Sequence, residues 1–255
     1  MIDFENSYNH YLNHLQEEAT LNIEPTHRCI LQCVFCSRTG EFGLKKIKHW
    51  RKSYGDLKPS HAKLIGKYFK RVTFCGSISD VIYHPNLIEV VDSLIHPETD
   101  YIEFRTNGSG KKIEWWEELV DVLNAYEHLG KRFIFGIDGI DQRCSINRVN
   151  QDFESAYEAM DYVAANLISK SPDSTTWQYI PFGYNEKDIP KAFEMAQELN
   201  VSFMILKSPR FGVDPKRKEI SPPTNPNLIS PSGFNEETII ENDFELRRFL
   251  HANKN

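Results

Sequence analysis

Between residues 21 and 206, short β-rich runs alternate with amphipathic runs of helical period. This alternation confines the chain to an α/β architecture with a parallel sheet. Strands are expected at 21–24, 71–74, 101–105, 133–137, 175–180 and 201–206, and helices at 60–69, 86–95, 113–126, 153–167 and 186–199. The run 133–137 is nearly all apolar, as a strand covered on both faces must be. In the first helix Leu64, Ile65, Tyr68 and Phe69 share one face; in the second the stripe is Leu87, Val90, Val91 and Leu94. Asn185 reads as the N-cap of the last. Six strands joined by right-handed crossovers are fewer than the eight that close a TIM barrel. In such sheets ligands lie at the C-terminal strand ends, so the residues just after each strand become candidates.

Three cysteines stand at one of those ends. Cys29, Cys33 and Cys36 follow the first strand in a C-x3-C-x2-C spacing. Thiolates hold iron–sulfur clusters, usually four per [4Fe–4S] cube, so a loop that offers three leaves one iron open to a substrate or cofactor. The chain has five cysteines, an odd number, and its polar start, MIDFENSYNHYLNHLQEE, has neither the basic head nor the apolar core of a secretory signal. A disulfide framework is therefore disfavoured. Structural zinc needs four ligands, usually as two separated pairs. His27 is a fourth donor but stands too close in sequence to form a second pair. The spacing favours an iron–sulfur site and leaves zinc as the alternative.

Composition narrows the remaining classes. Charged residues make up 26% and hydrophobic ones 40%, as in an ordinary soluble domain. A net charge of −6 argues against a general nucleic-acid surface. The apolar runs are strand-sized, short of the ~20 residues of a membrane span. The expected location is a reducing cytoplasm.

The segment 22–38, NIEPTHRCILQCVFCSR, resembles the cluster loop of the radical S-adenosylmethionine (radical SAM) superfamily. The resemblance runs in order through residues 20–206 and is nearest to the branch of peptide-modifying and molybdenum-cofactor enzymes. It implies an open, partial (β/α)6 barrel and one [4Fe–4S] cluster on Cys29, Cys33 and Cys36. It also implies S-adenosylmethionine (SAM) chelating the fourth iron, and an external one-electron reductant of the flavodoxin or ferredoxin kind. The implied chemistry is reductive cleavage of SAM and hydrogen abstraction from a substrate, with a peptide or protein ahead of a small metabolite. Phe35, just before the last cysteine, is placed by the resemblance near the SAM adenine; as plain structure it closes the loop. Gly76, Ser77 and Asp80 match the glycine-rich motif that holds the SAM amine, with Val81 where proline is usual. Thr106 and Asn107 match a Thr-Asn-Gly motif. Gly136 replaces a serine that touches SAM in relatives. Asp138 holds ribose or organises its turn, and Ile180 lies toward the adenine. Gln178 and Tyr179 alternate, so one of them faces inward.

Cys75 and Cys144 read as small buried hydrophobes, and the basic run 45–52 as a solvated face or a site for an acidic substrate. The expected organisation is an extension at 1–19, the barrel at 20–207, and a Pro-rich loop with a final helix at 235–251 packing on the barrel. No cysteine follows Cys144, so no auxiliary cluster is expected. A non-catalytic zinc or iron–sulfur protein, or a degraded relative, is the competing reading.

Overall fold

The computed structural model describes residues 20–36, 38–39, 55–171, 173–207, 220–229 and 239–240. Six parallel strands stand in chain order: β1 (Thr20–Ile23), β2 (Arg71–Phe74), β3 (Tyr101–Thr106), β4 (Gly130–Gly136), β5 (Thr175–Tyr179) and β6 (Ser202–Leu206). Between them run α1 (Pro59–Tyr68), α2 (Leu87–Leu94), α3 (Ile113–Asn124), α4 (Phe153–Asn166) and α5 (Ile189–Glu198). Because every connection returns the chain to the same starting edge, all six strands end at one rim. This is an α/β fold with six parallel strands in an open sheet, a partial barrel.

Alternation along the strands gives the sheet two unlike faces. Val72, Phe74, Ile102, Phe104, Phe133, Phe135, Trp177, Tyr179, Phe203 and Ile205 join the main core, together with Trp116, Leu119, Val120 and Leu123 of α3 and Val90, Val91 and Leu94 of α2. Phe104 and Phe133 stack with centroids 4.5 Å apart, and Trp116 packs on Phe135 at 5.6 Å. Each such side chain contributes roughly 1.5–3 kcal/mol by leaving water. The intervening residues face inward, and many are polar: Arg71, Thr73, Glu103, Arg105, Arg132, Thr176 and Gln178. The Glu103 carboxylate accepts from Arg105 Nε at 2.9 Å and from the Tyr101 hydroxyl at 2.8 Å, with Arg132 3.9 Å away.

Three expectations need correction. In α1 the buried residues are Ala62 and Gly66, while Leu64 and Tyr68 are 56% and 48% exposed. The reason is a close helix crossing: a Cβ on Gly66 would lie 1.7 Å from the Leu94 carbonyl oxygen, so the small residues face α2, Ile65 and Phe69 pack on the edge of the core, and Leu64 and Tyr68 turn outward. Asn185 caps no helix with its side chain. It is fully buried, and its amide donates to the carbonyls of Asp138 and Ile180 and accepts from Phe182 N. Within the final helix expected at 235–251, Ile239–Ile240 is instead a short strand, β7, antiparallel to β6. The rest of that helix lies outside the described residues, as do the basic run 45–52 and residues 1–19.

The described part of the tail also meets the barrel. Gly183 N donates to Ser221 O, and the Glu186 carboxylate accepts from Thr224 N and Oγ1 and from Asn225 N. Ile220 shares a small apolar cluster with Phe35 and Phe182, and Leu228 enters the main core.

Candidate active site

The rim where the six strands end encloses a cavity of about 670 Å³. Cys29, Cys33 and Cys36 line it together with Phe35, Gly76, Ser77, Asp80, Thr106, Asn107, Gly136 and Ile180. Of the candidate cluster and SAM residues named from sequence, Asp138 alone does not.

The cysteine loop is held by backbone bonds to three other segments. Leu57 N donates to Pro25 O, Asp80 N to Arg28 O, and Gln32 N and Val34 N to the carbonyls of Val149 and Asn147, all at 2.8–2.9 Å. Arg28 adds an ion pair to Asp56 at 2.9 Å. Around the sulfurs stand donors: Asn107 Nδ2 is 3.9 Å from Cys29 Sγ, and Arg38 N is 3.4 Å from Cys36 Sγ. Arg38 is only 8% exposed, and its guanidinium donates to the carbonyls of Cys29 and Leu31. Among the described residues no carboxylate pairs with it. A buried cation without a counter-charge costs several kcal/mol, and the negative charge nearest to hand is that of the thiolates. Burial pushes the Cys29 thiol up to about 12 and Cys33 up to about 11, and Arg38 opposes burial at both. A bound metal displaces those protons outright.

These residues fit a cluster: Cys29, Cys33 and Cys36 line one cavity, and in a cube each thiolate binds a different iron.

A second loop, 75–80, follows β2. The Glu24 carboxylate, at the end of β1, accepts from Ser77 N at 2.5 Å, from Ile78 N at 3.0 Å and from the Ser79 hydroxyl. Gly76 allows a close approach of backbones: a Cβ there would stand 3.2 Å from Arg105 O and 3.3 Å from Ser79 O. Val81 is buried and opens the 3-10 turn Val81–Tyr83, which Asp80 caps by accepting from Ile82 N. Asp80 also accepts from Asn107 N at 2.6 Å and from Asn107 Nδ2. Burial pushes its carboxyl up to about 6 against the pull of those bonds. Asn107 thus ties Asp80 to Cys29.

After β4 the chain turns through 137–152. Asp138 is fully buried, and its Oδ2 lies 2.7 Å from Arg148 Nε and 3.0 Å from Asn147 Nδ2, while Oδ1 accepts from Ile180 N. Its role is to hold Arg148, which does line the cavity. Gly136 makes room for that guanidinium, since a Cβ there would fall 2.6 Å from Arg148 Nη2. Gln151, 1% exposed, donates to the carbonyls of both Asn107 and Gly136 and so locks two strand ends together. On the far wall Phe35 stacks on Phe182 at 5.7 Å, and Phe182 on Tyr184 at 5.5 Å. Gln178 faces the cavity, whereas Tyr179 points into the core with its hydroxyl on Asn185 O. Cys75 lines the cavity with its thiol toward Ile23 O and Glu24; Cys144 is wholly buried in the core.

Sequence reading missed Glu24, Arg38, Arg148 and Gln151. The strand-end rule points at Glu24, and Arg38 stands two residues past the last cysteine. Arg148 and Gln151 sit in an irregular turn with no period to mark them.

Comparison with known proteins adds three findings. The family model of the Radical SAM superfamily matches residues 23–196. No curated protein matches the chain. Among solved structures, Streptococcus suis SuiB shares 12% identity and a TM-score of 0.52, over 78% of this chain and 43% of that one. SuiB bound to S-adenosylmethionine gives 14%, 0.53, 78% and 44%. At such identities the likeness is one of fold, and this chain spans less than half the length of that protein.

Proposed function

This chain belongs to the radical SAM superfamily of enzymes, and from that premise we propose that its rim cavity holds one [4Fe–4S] cluster on Cys29, Cys33 and Cys36, with SAM beside it. When bound, cluster and SAM supply a one-electron cleavage of the S–C5′ bond, giving methionine and a 5′-deoxyadenosyl radical that takes hydrogen from substrate; the electron comes from a flavodoxin- or ferredoxin-like reductant.

The chain's own residues orient, neutralise and exclude water. Arg38 and Asn107 direct positive charge and a donor at the thiolates. Arg148, held by Asp138, presents a guanidinium to the cavity, suited to a carboxylate such as that of the methionyl moiety. Gly76, Ser77 and Asp80 are assigned to the ammonium side, and Glu24 keeps their loop in shape. Phe35, Ile180 and Phe182 form an apolar wall for a flat base. Thr106 and Gly136 complete the cradle at the ends of β3 and β4. The barrel unit is taken as 20–207, flanked by 1–19 and by the tail 208–255. A peptide or protein is ranked ahead of a small metabolite as substrate, on the motif resemblance alone.

The observation that carries this reading is the convergence of all three loop cysteines on one cavity beside a buried Arg38 that no carboxylate among the described residues pairs with. Anaerobic reconstitution tests it. The expected product is a brown protein with about four irons per chain that forms 5′-deoxyadenosine after reduction. A colourless protein with one zinc would establish the non-catalytic alternative. An iron-loaded protein that binds SAM but never cleaves it would establish a degraded relative.

A further inference from the structure

The cavity continues past the rim onto the inner face of the sheet. There its walls are Asn22 of β1, Arg105 of β3, Ile134 of β4, Gln178 of β5, and Leu206 and Lys207 at the end of β6. In a closed (β/α)8 barrel such positions are filled by bulky branched residues. Here two carry cations and two carry amides.

Their polar ends are unspent. Among the described residues, Lys207 Nζ and the side-chain amides of Asn22 and Gln178 have no hydrogen-bond or ionic partner. Arg105 uses only Nε, on Glu103, and its two terminal nitrogens have none. That Glu103 carboxylate is shared with Arg132, so it does not neutralise the pair of arginines.

The charge around the cavity sharpens the point. Among the described residues its lining holds four cations, Arg38, Arg105, Arg148 and Lys207, against one carboxylate, Asp80. Arg148 is balanced by Asp138, and the Arg38 guanidinium is spent on the carbonyls of Cys29 and Leu31 in the cysteine loop. Lys207 faces inward with no anion among the described residues, and Arg105 has only the Glu103 carboxylate that it shares with Arg132. The free donors of both are placed to make charge-assisted bonds to an oxyanion, which are stronger than neutral ones.

We propose that the inner face selects a substrate bearing a carboxylate or phosphate group, seated between Arg105 and Lys207, with Asn22 and Gln178 bonding its neighbouring polar atoms. This rests on the assignment of the rim to SAM, which leaves the inner face for the molecule that the radical attacks. Arg105 and Lys207 orient that molecule; they take no part in bond breaking. The same chemistry is offered by a small carboxylic acid and by an acidic residue of a peptide.

Ligand-observed NMR titrations on the reconstituted, SAM-bound protein test the proposal. The probes are inorganic phosphate, glutarate and its neutral counterpart glutaramide, and a blocked pentapeptide with a central glutamate and its glutamine twin. The expected result is saturable binding of at least one anionic probe and none of its neutral twin, weakened roughly ten- to hundredfold in Lys207→Gln and in Arg105→Gln. Glutarate against the acidic peptide tells the small acid from the peptide residue. Equal binding of anionic and neutral probes, no saturable anion binding, or unchanged affinity in both folded variants would overturn it. Circular dichroism confirms folding; Lys207→Gln, which breaks no hydrogen bond or ion pair among the described residues, keeps the test alive if Arg105→Gln unfolds. Iron content and SAM affinity are read on the same unsubstituted protein. Their failure would remove the cofactor assignment, while the anion preference is measured separately.

Discussion

Replacing Asp138 by asparagine changes one atom and removes the counter-charge of Arg148. The carboxylate is fully buried, Arg148 is 15% exposed, and their closest atoms are 2.7 Å apart. Asparagine keeps the shape but brings an NH2 group into a nest of donors. In one orientation that group faces Arg148 Nε and Asn147 Nδ2; in the other it faces Ile180 N and Arg148 Nη2. Donor opposes donor either way, and the guanidinium is left buried without an anion. Breaking such a pair costs about 3–5 kcal/mol, a large share of the 5–15 kcal/mol typical of a domain. For a chain of this size the melting temperature should fall on the order of 10 °C. The assay is anaerobic thermal and urea denaturation of Asp138→Asn, with SAM affinity measured in parallel. A double variant, Asp138→Leu with Arg148→Met, replaces the pair with apolar groups of similar volume. It should regain only part of the stability, because Asn147 Nδ2 and Ile180 N lose their acceptor, and bind SAM roughly ten- to hundredfold more weakly than the parent. Parent-like stability in Asp138→Asn, or parent-like SAM affinity in the double variant, would refute the reasoning.

Alanine at Cys29, Cys33 or Cys36 should abolish iron retention in reconstituted protein, whereas Cys144→Ala should keep the full iron content, because that thiol lies in the core and not on the cavity. Asp80→Ala should leave iron in place and weaken SAM binding roughly ten- to hundredfold; an unchanged dissociation constant by equilibrium dialysis would show that the 76–80 loop is misassigned. Gly183→Ala should loosen the tail, since the added Cβ would stand 2.2 Å from Ser221 Oγ; limited proteolysis should then cut within 208–233 sooner than in the parent, and an identical digestion pattern would count against docking. Trp116→Ala, which empties a fully buried site on α3, should cost about 3–5 kcal/mol by chemical denaturation.

The fold was legible where one physical force dominates. The run 133–137 is apolar because β4 lies buried in the middle of the sheet, and α3 shows its face because Trp116, Leu119, Val120 and Leu123 all meet the same core. Periodicity misled at α1, where the decisive contact is the absence of a side chain at Gly66 and bulk alone points to the wrong face. Local propensity misled at Asn185, a plausible cap whose amide is drawn instead to the Asp138 and Ile180 carbonyls. The rim candidates were legible because strand ends and a spaced cysteine loop announce themselves in one dimension. Arg148, 112 positions after Cys36 in the numbering, gives no such sign. Its significance comes from a buried partner ten residues upstream and from the missing Cβ of Gly136, facts that exist only once the chain is folded.

The small cluster of Phe35, Phe182 and Ile220 joins two distant parts of the molecule: the tip of the cysteine loop and the returning tail. Phe35 and Phe182 also line the cavity. Occupancy of the cavity and seating of the tail are therefore thermodynamically reciprocal: any factor by which seated Ile220 tightens a ligand against Phe35 is the factor by which that ligand resists detachment of the tail. The tail is in this sense a reporter built into the chain, and its rate of cleavage by a protease, followed as ligand is added, reads the occupancy of a site that its described residues do not line.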